Sequence, residues 1–369
     1  MPQLYPDLSA RAGLLPGGDL PRSYDSVVCG AGSAGSVVAG RLAANLDVAV
    51  LLLEAGGSDD VPAVLDPDQW PANLGSDREW GFTAAPSPHV NGHAIPYAMG
   101  RVLGGGASIN VTTWARGHRA DWDLFAEAAG DPAWGDAAVR DVYRRVEGGP
   151  ASGGAGPMWV QPTERPHALA AAALDAMAAC GLHRFPEMNG ALWEAPDGCA
   201  VVDQIVHDDR RQSPFRSFVW PRLGQPNLTV LTGAEVTRVR FVGNRAVGVE
   251  FTHDGRSECV DAGLAVVLSL GALQTPKVLM QSGVGDAVEL GQFGIPLVQH
   301  LPAVGRHLHD HVAIACAWEA PAAAELPVGS RPQAVGFWRT DRALPANTMA
   351  PCVVVGQRAA DLLAAEHGH

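Results

Sequence analysis

The hydrophobic pattern near the N-terminus predicts a strand, a helix and a second strand in quick succession. A short apolar strand centres on Val27 and Val28, and a helix rich in small residues follows as far as Leu42. The next apolar run, from Val48 to Leu53, is too short for a helix and predicts a second buried strand, which ends at Glu54. The order is that of a strand–helix–strand unit.

The pattern changes twice further along the chain. A glycine-rich linker begins after Glu147, and an alanine-rich helix is predicted over 166–181. Residues 226–255 alternate apolar and polar side chains, which predicts the strands of a β-meander with a turn at 243–246.

A third apolar run, Leu264 to Leu270, predicts another buried strand, followed by a small-residue turn and a helix. We expect Thr275 to be the N-cap of that helix, Pro276 to lie in its first turn and Gly283 to end it.

Composition excludes several classes of function. The chain has 369 residues, 47% of them hydrophobic, and a net charge of −13, which disfavours a nucleic-acid partner. Six cysteines without a CxxC pair argue against a disulfide framework or a zinc site and suggest a reducing, cytoplasmic location. We expect no signal peptide and no transmembrane segment, and we interpret residues 1–23 as a flexible extension.

The turn after the first strand carries chemistry. Gly30, Gly32 and Gly35 form a GxGxxG motif, in which the glycines allow a tight turn, close approach to a pyrophosphate and close helix–strand packing. The following helix adds roughly half a positive charge at its N-terminus. Glu54 lies 19 positions after Gly35, where a carboxylate is expected to bind a ribose hydroxyl and to disfavour NADP. The sequence therefore predicts a dinucleotide site, to which the three consecutive glycines 104–106 add a second backbone loop.

In this order, GxGxxG…E, "GRVLGGGASIN", "GALQTPKVLMQSGVG", "VGRHLHDH" and "NTMAPCVVVGQRAAD" resemble the glucose–methanol–choline (GMC) flavin oxidoreductases. The resemblance runs from about Tyr24 to the C-terminus and is closest to the choline dehydrogenase-like members. It implies an α/β (mixed α+β) fold, with a Rossmann-like FAD-binding domain and an antiparallel-sheet substrate domain. It also implies oxidation of the CH–OH group of a small-molecule alcohol, with oxygen or a quinone as electron acceptor.

The resemblance also implies a set of FAD-contacting positions. They are Gly30, Gly32, Ser33, Ala34 and Gly35 at the pyrophosphate, Glu54 and Ala55 at the adenosine ribose, Arg101, Gly105 and Ser108 along the pyrophosphate and ribityl path, Asn110 near the flavin ring, Val236 at adenine, and Thr348.

Two further positions concern the flavin chemistry. Ile109 stands where some family members carry the histidine that bonds covalently to the flavin, so the resemblance implies non-covalent FAD. Asn347 matches the second member, His or Asn, of the family's catalytic pair. The first member, a histidine that would act as base, has no counterpart.

The distance between the two C-terminal segments is short for the family. "FWRTD" resembles the substrate domain and "NTMAP" the closing helix of the FAD domain, and the long stretch expected between them is missing around Arg342. We expect an internally truncated substrate domain (148–225 and 312–342) beside a discontinuous FAD domain (24–147, 226–311 and 343–369). The first functional hypothesis is an FAD-dependent alcohol oxidoreductase impaired by this loss. The alternatives are a non-catalytic FAD-binding remnant and a hydroxynitrile lyase-like member.

Two clusters of basic side chains have simpler interpretations. His307, His309 and His311 are close enough to suggest a metal site, but no third ligand has matching spacing, so no metal is predicted. The arginines of "RRQSPFRSF", at positions 210, 211 and 216, are interpreted as a solvated loop near the cofactor entrance.

Overall fold

The computed structural model describes residues 20–150, 153–311, 313, 315–317, 319, 331–338 and 349–367. No helix among them is both long and apolar enough to cross a membrane. The α-helices described are α1 (Ser33–Leu42), α2 (Pro62–Leu65), α3 (Gly106–Ile109), α4 (Arg119–Ala129), α5 (Asp136–Val146), α6 (Ala168–Ala179), α7 (Gly271–Gln281), α8 (Ala287–Gln292) and α9 (Met349–His367).

The described strands form one large sheet and several pairs. The large sheet has the order β12-β2-β1-β15-β14-β13. The strands are β1 (Ser23–Cys29), β2 (Val50–Leu53), β3 (Phe82–Thr83), β4 (Pro96–Tyr97), β5 (Glu147–Gly148), β6 (Met158–Trp159), β7 (Gln161–Pro162), β8 (Gly198–Val201), β9 (Asp203–Gln204), β10 (Val206–His207), β11 (Arg210–Arg211), β12 (Leu228–Leu231), β13 (Glu235–Val242), β14 (Arg245–His253), β15 (Arg256–Leu268), β16 (Val284–Gly285), β17 (Gln299–His300) and β18 (Ala334–Phe337).

The centre of the large sheet is parallel. β1 pairs in parallel with β2 on one side and with β15 on the other, and β12 continues the sheet beyond β2. β2 is apolar at every position and fully buried, as expected for a parallel strand that is covered on both faces. The predicted strand–helix–strand unit is therefore confirmed.

The second predicted strand group is confirmed only in part. β13 and β14 form an antiparallel hairpin in which Val242 pairs with Arg245, so the predicted turn is correct. β14 then pairs with β15, which is longer than predicted. The assignment of β12 to the meander was wrong, because β12 pairs in parallel with β2. Alternating side chains cannot reveal a partner that lies far away in sequence.

The helix after β15 starts earlier than predicted. α7 begins at Gly271, so Thr275 is not its N-cap and Pro276 lies inside the helix. Thr275 Oγ1 instead accepts the N–H of Leu270, 3.2 Å away, from within the first turns. Gly283 follows the helix with a φ of +88°, so the predicted stop is correct.

The glycine-rich segment after Glu147 is folded back tightly. Gly156 N–H donates to Glu147 O at 2.8 Å, and a Cβ at Gly148 or Gly156 would collide with the facing backbone. β5 and β6 close this turn as a parallel pair. The glycines therefore serve close backbone packing and not a free linker.

Residues 215–223 join the core of the large sheet. Phe215, Val219 and Leu223 lie in the same buried cluster as Val38 of α1 and Val50 of β2. This stretch lies on the substrate side of the boundary predicted at residue 225, and the division into two domains stays a prediction. α9 covers the outer side of α1, where Arg41 Nε donates to Gln357 Oε1 at 2.6 Å.

Candidate functional site

The glycine turn between β1 and α1 is held by backbone contacts. Gly30 has a φ of +94°, and a Cβ there would lie 2.6 Å from Ser269 O at the end of β15. A Cβ at Gly35 would collide with Gly30 O and with Ser269 Oγ. Gly32, by contrast, has no atom within 4 Å of the position a Cβ would take. The turn is packed against the sheet on one side and is open at Gly32.

The N-terminus of α1 lies at this open position. Gly32 is the N-cap, and no side chain caps the helix. The first N–H groups of a helix have no acceptor within it, and the helix dipole makes this end positive. Ser33 and Ala34, which begin the first turn, are half-buried. This end of α1 can therefore bind an anion through backbone N–H groups.

The carboxylate of Glu54 lies behind the turn. Its two oxygens accept the N–H groups of Ala31 and Gly56, each at 2.9 Å. Burial raises the pKa of Glu54 to about 7, against the opposing effect of these N–H groups and of the Arg101 charge. Ala234 N–H donates to Glu54 O at 2.8 Å and so ties the chain after β12 to this position.

Arg101 lies beside the loop that follows Glu54. A Cβ at Gly56 would collide with the backbone of Arg101 and Val102, so these two segments are in direct contact. The Arg101 guanidinium lies over the ring of Trp80, 5.1 Å from its centroid. Its Nε is buried and has no hydrogen-bond partner among the described residues. A buried donor of this kind calls for an acceptor, which the described residues do not supply.

The consecutive glycines form a second backbone loop against the first. Gly104 N–H donates to Ala31 O at 2.8 Å. Gly105 has a φ of +56°, and a Cβ there would lie 2.8 Å from Gly32 Cα. Gly106 is exposed, with no atom within 4 Å of a Cβ position. The two glycine turns therefore touch, and open positions remain at Gly32 and Gly106.

α3 places the remaining polar residues of this segment. Ser108 is buried and donates from Oγ to Leu103 O at 2.6 Å, so its hydroxyl is turned into its own loop. Ile109 is also buried. Asn110 ends the helix half-buried, and its Oδ1 accepts from Thr112 N at 2.9 Å.

The other predicted contacts are more distant in sequence. Ala55 follows Glu54 and is half-buried. Val236 is buried in β13 opposite Phe251, two residues after Ala234. The structure thus brings the glycine turn, Glu54 and the 101–110 segment together, whereas Val236 lies on β13, which pairs with β14 at the other edge of the large sheet from β12. Asn347 and Thr348 lie outside the described residues.

These residues fit a dinucleotide. The site offers an uncapped helix end, two glycine positions where backbone is accessible and an unpartnered buried guanidinium nitrogen. It also offers the Glu54 carboxylate, which contacts the glycine turn at Ala31 and can accept hydrogen bonds from hydroxyl groups. Backbone donors, a cation and a carboxylate in this order are the groups that a pyrophosphate and a ribose require.

The interpretation of Arg211 and Arg216 as members of a solvated loop was wrong. Both side chains are almost completely buried, at 1% and 4% exposure, and only Arg210 is exposed. Arg216 Nε donates to the buried Asp59 at 2.6 Å and its Nη2 donates to Asp60 at 3.2 Å. No local signal identifies such a pair, because arginine is usually exposed and the carboxylates lie in the loop after Glu54.

The histidine cluster has no metal-binding geometry. His307, His309 and His311 are exposed. Across the described part of the chain, no three or more His, Cys, Asp or Glu side chains are grouped so that they could hold a metal ion.

The chain is similar in sequence to choline dehydrogenases. The chain is 35% identical over 309 residues to the oxygen-dependent choline dehydrogenase of Staphylococcus xylosus, covering 80% of this chain and 54% of the relative. It is 36% identical over 320 residues to the human mitochondrial choline dehydrogenase, covering 83% of this chain and 53% of the relative. The chain thus spans about half the length of these relatives.

Solved structures share the fold. Pyridoxine 4-oxidase from Mesorbium loti superposes with a TM-score of 0.72 and 31% identity, over 76% of this chain and 56% of that chain. A formate oxidase of Aspergillus oryzae RIB40, whose R554K mutation was studied for its effect on FAD modification, gives a TM-score of 0.69 and 26% identity over 75% and 50% of the two chains.

A sequence model of the GMC oxidoreductase family matches residues 24–313, which include every element of the site described above. The members named here are enzymes, and the family is FAD-dependent, so the predicted resemblance and its dinucleotide are confirmed at the level of the family. The match and the identity to the choline dehydrogenases show that the chain belongs to the GMC oxidoreductase family.

Proposed function

We propose that this chain binds FAD non-covalently across its two glycine turns and that it is an oxidoreductase of the CH–OH group of alcohols. The observation that carries the FAD site is the contact between the turns. Gly105 lies against Gly32 while both Gly32 and Gly106 stay open, beside the uncapped end of α1. An extended cofactor can therefore lie along backbone N–H groups from both loops.

Different residues of the site bind different parts of FAD in this proposal. The end of α1, from Gly32 to Gly35, binds the pyrophosphate, and the buried Arg101 Nε donates to it. Glu54 accepts a ribose hydroxyl, and the β13 backbone near Val236 faces the adenine. Asn110, at the end of α3, lies toward the flavin ring.

The linkage to the protein is non-covalent in this proposal. Ile109 occupies the position of the family's flavin-linking histidine, and its hydrocarbon side chain is buried. A covalent bond at that position needs a nucleophilic side-chain nitrogen, which isoleucine lacks.

The activity on alcohols follows from the family and from the relatives that are choline dehydrogenases. Bound FAD supplies the acceptor for the hydride that leaves the alcohol carbon, and oxygen or a quinone then takes the electrons. The protein must remove the hydroxyl proton, and a positioned base contributes about 10²–10⁴-fold to such a step. Asn347 can orient the hydroxyl, but a carboxamide does not titrate and cannot act as the base.

The test uses the purified full chain loaded with FAD. Acid precipitation should release all of the yellow colour into the supernatant, and colour that stays with the precipitate would refute the non-covalent assignment. Anaerobic mixing with choline, aliphatic and aryl alcohols, followed by flavin absorbance, tests the activity. Slow bleaching by at least one alcohol supports the oxidoreductase. Tight FAD binding without bleaching by any of them supports a non-catalytic FAD-binding protein instead.

A further inference from the structure

Arg211 is a buried arginine whose hydrogen bonds go to backbone and amide oxygens and not to a carboxylate of the described residues. Its side chain is 1% exposed, and it forms no ion pair with a carboxylate among the described residues. Two other arginines differ, because the buried Arg216 pairs with Asp59 and the partly exposed Arg116 pairs with the buried Glu147. An unpaired buried charge is costly unless other groups in the folded protein or a ligand stabilise it.

The guanidinium donates to three oxygens that lie on two separate segments. Nε donates to Val64 O of α2 at 2.9 Å. Nη1 donates to Ala107 O inside α3 at 3.1 Å and to Asn110 Oδ1 at 2.8 Å. Arg211 therefore joins α2 and α3 and contacts the residue that we place toward the flavin ring.

These bonds fix the side chain of Asn110. Its Oδ1 accepts from Thr112 N and from Arg211 Nη1, so both lone pairs of the amide oxygen are used. The amide plane and the direction of its oxygen are thereby determined. A lysine at position 211 would keep the charge, but its single nitrogen cannot reproduce the planar fork.

We propose that Arg211 is a positioning residue for the flavin end of the site, which holds Asn110 and α3 in place and supplies a fixed positive charge behind them. The inference rests on the proposed FAD site. A cofactor that carries negative charge offsets the cost of the unpaired guanidinium. The pKa agrees with this view, because burial and then the nearby Arg331 lower the pKa of Arg211 to about 9, and the Asp66 carboxylate opposes them only in part.

The experiment compares Arg211→Gln, Arg211→Lys and the control Arg116→Gln, each as FAD-loaded full chain. Arg116 is a partly exposed arginine that pairs with the buried Glu147 outside the cofactor site, so its variant reports loss of stability alone. The readouts are the FAD content, the visible circular dichroism of the bound flavin and the midpoint potential of bound FAD. These last two signals report the surroundings of the flavin, and a purely structural residue would leave them unchanged.

Arg211→Gln should change the visible circular dichroism and shift the potential to more negative values. Arg211→Lys should restore the potential but not the dichroism, because only the charge returns. Arg116→Gln should lower the melting temperature and leave both flavin signals unchanged. Unchanged signals in Arg211→Gln would overturn the inference. If that variant loses FAD, a wild-type dichroism in Arg211→Lys would overturn it. If the wild-type chain binds no FAD, the proposed function fails first.

Discussion

The large sheet and the region around Glu147, formed by residues 114–147 and 158–207, are stabilised in different ways. In the sheet, parallel strands β12, β2, β1 and β15 bury apolar side chains, and the functional turns are fixed by contacts between backbones. The other region has strands of two to four residues, such as β7, β8 and β9, each in a two-stranded sheet. Two strands alone are at best marginally stable.

Buried polar pairs give the second region its order. Glu147 accepts from Trp114 Nε1 at 2.7 Å and from Arg116 Nε at 2.9 Å. Asn189 Nδ2 donates to the buried Asp203 at 2.8 Å. The cofactor site thus depends on positions where a side chain is not tolerated, whereas the second region depends on specific side-chain partners. Substitutions in the two regions should therefore have different effects on FAD binding and on the free energy of unfolding.

The largest expected effect is on the rate at which alcohols reduce the flavin, and it is tested by an insertion outside the cofactor site. On the hypothesis that the chain lacks the family's catalytic histidine, a version with the histidine-bearing segment inserted near Arg342 should reduce its flavin with alcohols at least about 10²-fold faster, because the segment would supply a positioned base. FAD binding should be the same in both versions, since the glycine turns are unchanged. Anaerobic stopped-flow absorbance measures the rates. Rapid bleaching in the unaltered chain would show that another base serves.

The next effect compares the two regions through one ion pair in each, both of which contain a buried carboxylate. Arg216→Met and Arg116→Met should each lower the free energy of unfolding by about 3–5 kcal/mol, because Asp59 or Glu147 is left buried without its partner. Only Arg216→Met should also weaken FAD binding, since Asp59 lies in the loop after Glu54. The exposed pair of Arg306 and Glu289 supplies the control, Arg306→Met, at about 0–1 kcal/mol.

Urea denaturation and FAD titration measure both quantities. An equal loss of FAD affinity in the Arg116 and Arg216 variants would mean that the two regions act as one unit, and the comparison would be wrong.

The predictable part of the site is the part that depends on backbone conformation. The spacing of Gly30, Gly32 and Gly35 predicted the tight turn after β1, because at Gly30 and Gly35 a Cβ would collide with neighbouring atoms. The roles of these glycines and of Glu54 toward a cofactor stay predictions. The strands beside them were found because buried parallel strands are continuously apolar.

The features that the sequence did not predict depend mostly on contacts between residues that are far apart in sequence. Arg216 and Asp59 are 157 positions apart, and nothing in the sequence near either one indicates the pair. The same holds for Arg211 and Asn110, 101 positions apart. The partner of β12 was missed for this reason, and the start of α7 was missed because an acceptable N-cap residue, Thr275, lies inside the helix.

A smaller effect tests whether backbone contact decides the cofactor region. Gly56→Ala places a Cβ into the backbone of Arg101 and Val102, whereas Gly57→Ala places one in open space. We expect Gly56→Ala to cost about 1–3 kcal/mol of stability and to weaken FAD binding, and Gly57→Ala to change neither appreciably. Thermal melts with and without FAD measure this. Similar losses in the two variants would show that the loop as a whole, and not the contact, is critical.

The last expected effect, which is small near neutral pH, is a pH dependence of FAD affinity in the same region. In the chain without FAD, burial raises the pKa of Glu54 to about 7, from an ordinary value of 4.5. The ionised carboxylate is the better acceptor for a ribose hydroxyl, so binding below pH 7 must release a proton. The dissociation constant should then rise by up to about tenfold for each pH unit below 7 and stay level above it. Glu54→Gln should bind FAD more weakly and lose this dependence, because an amide does not titrate. The folding stability of the chain without FAD should change in the opposite direction with pH. The unfolded chain ionises Glu54 at a lower pH than the folded chain, so the stability contributed by this group falls as pH rises from about 4.5 to about 7. Fluorescence titration of FAD between pH 5 and 8 measures the affinity, and an equal slope in the wild-type and Glu54→Gln chains would remove Glu54 from the ribose site.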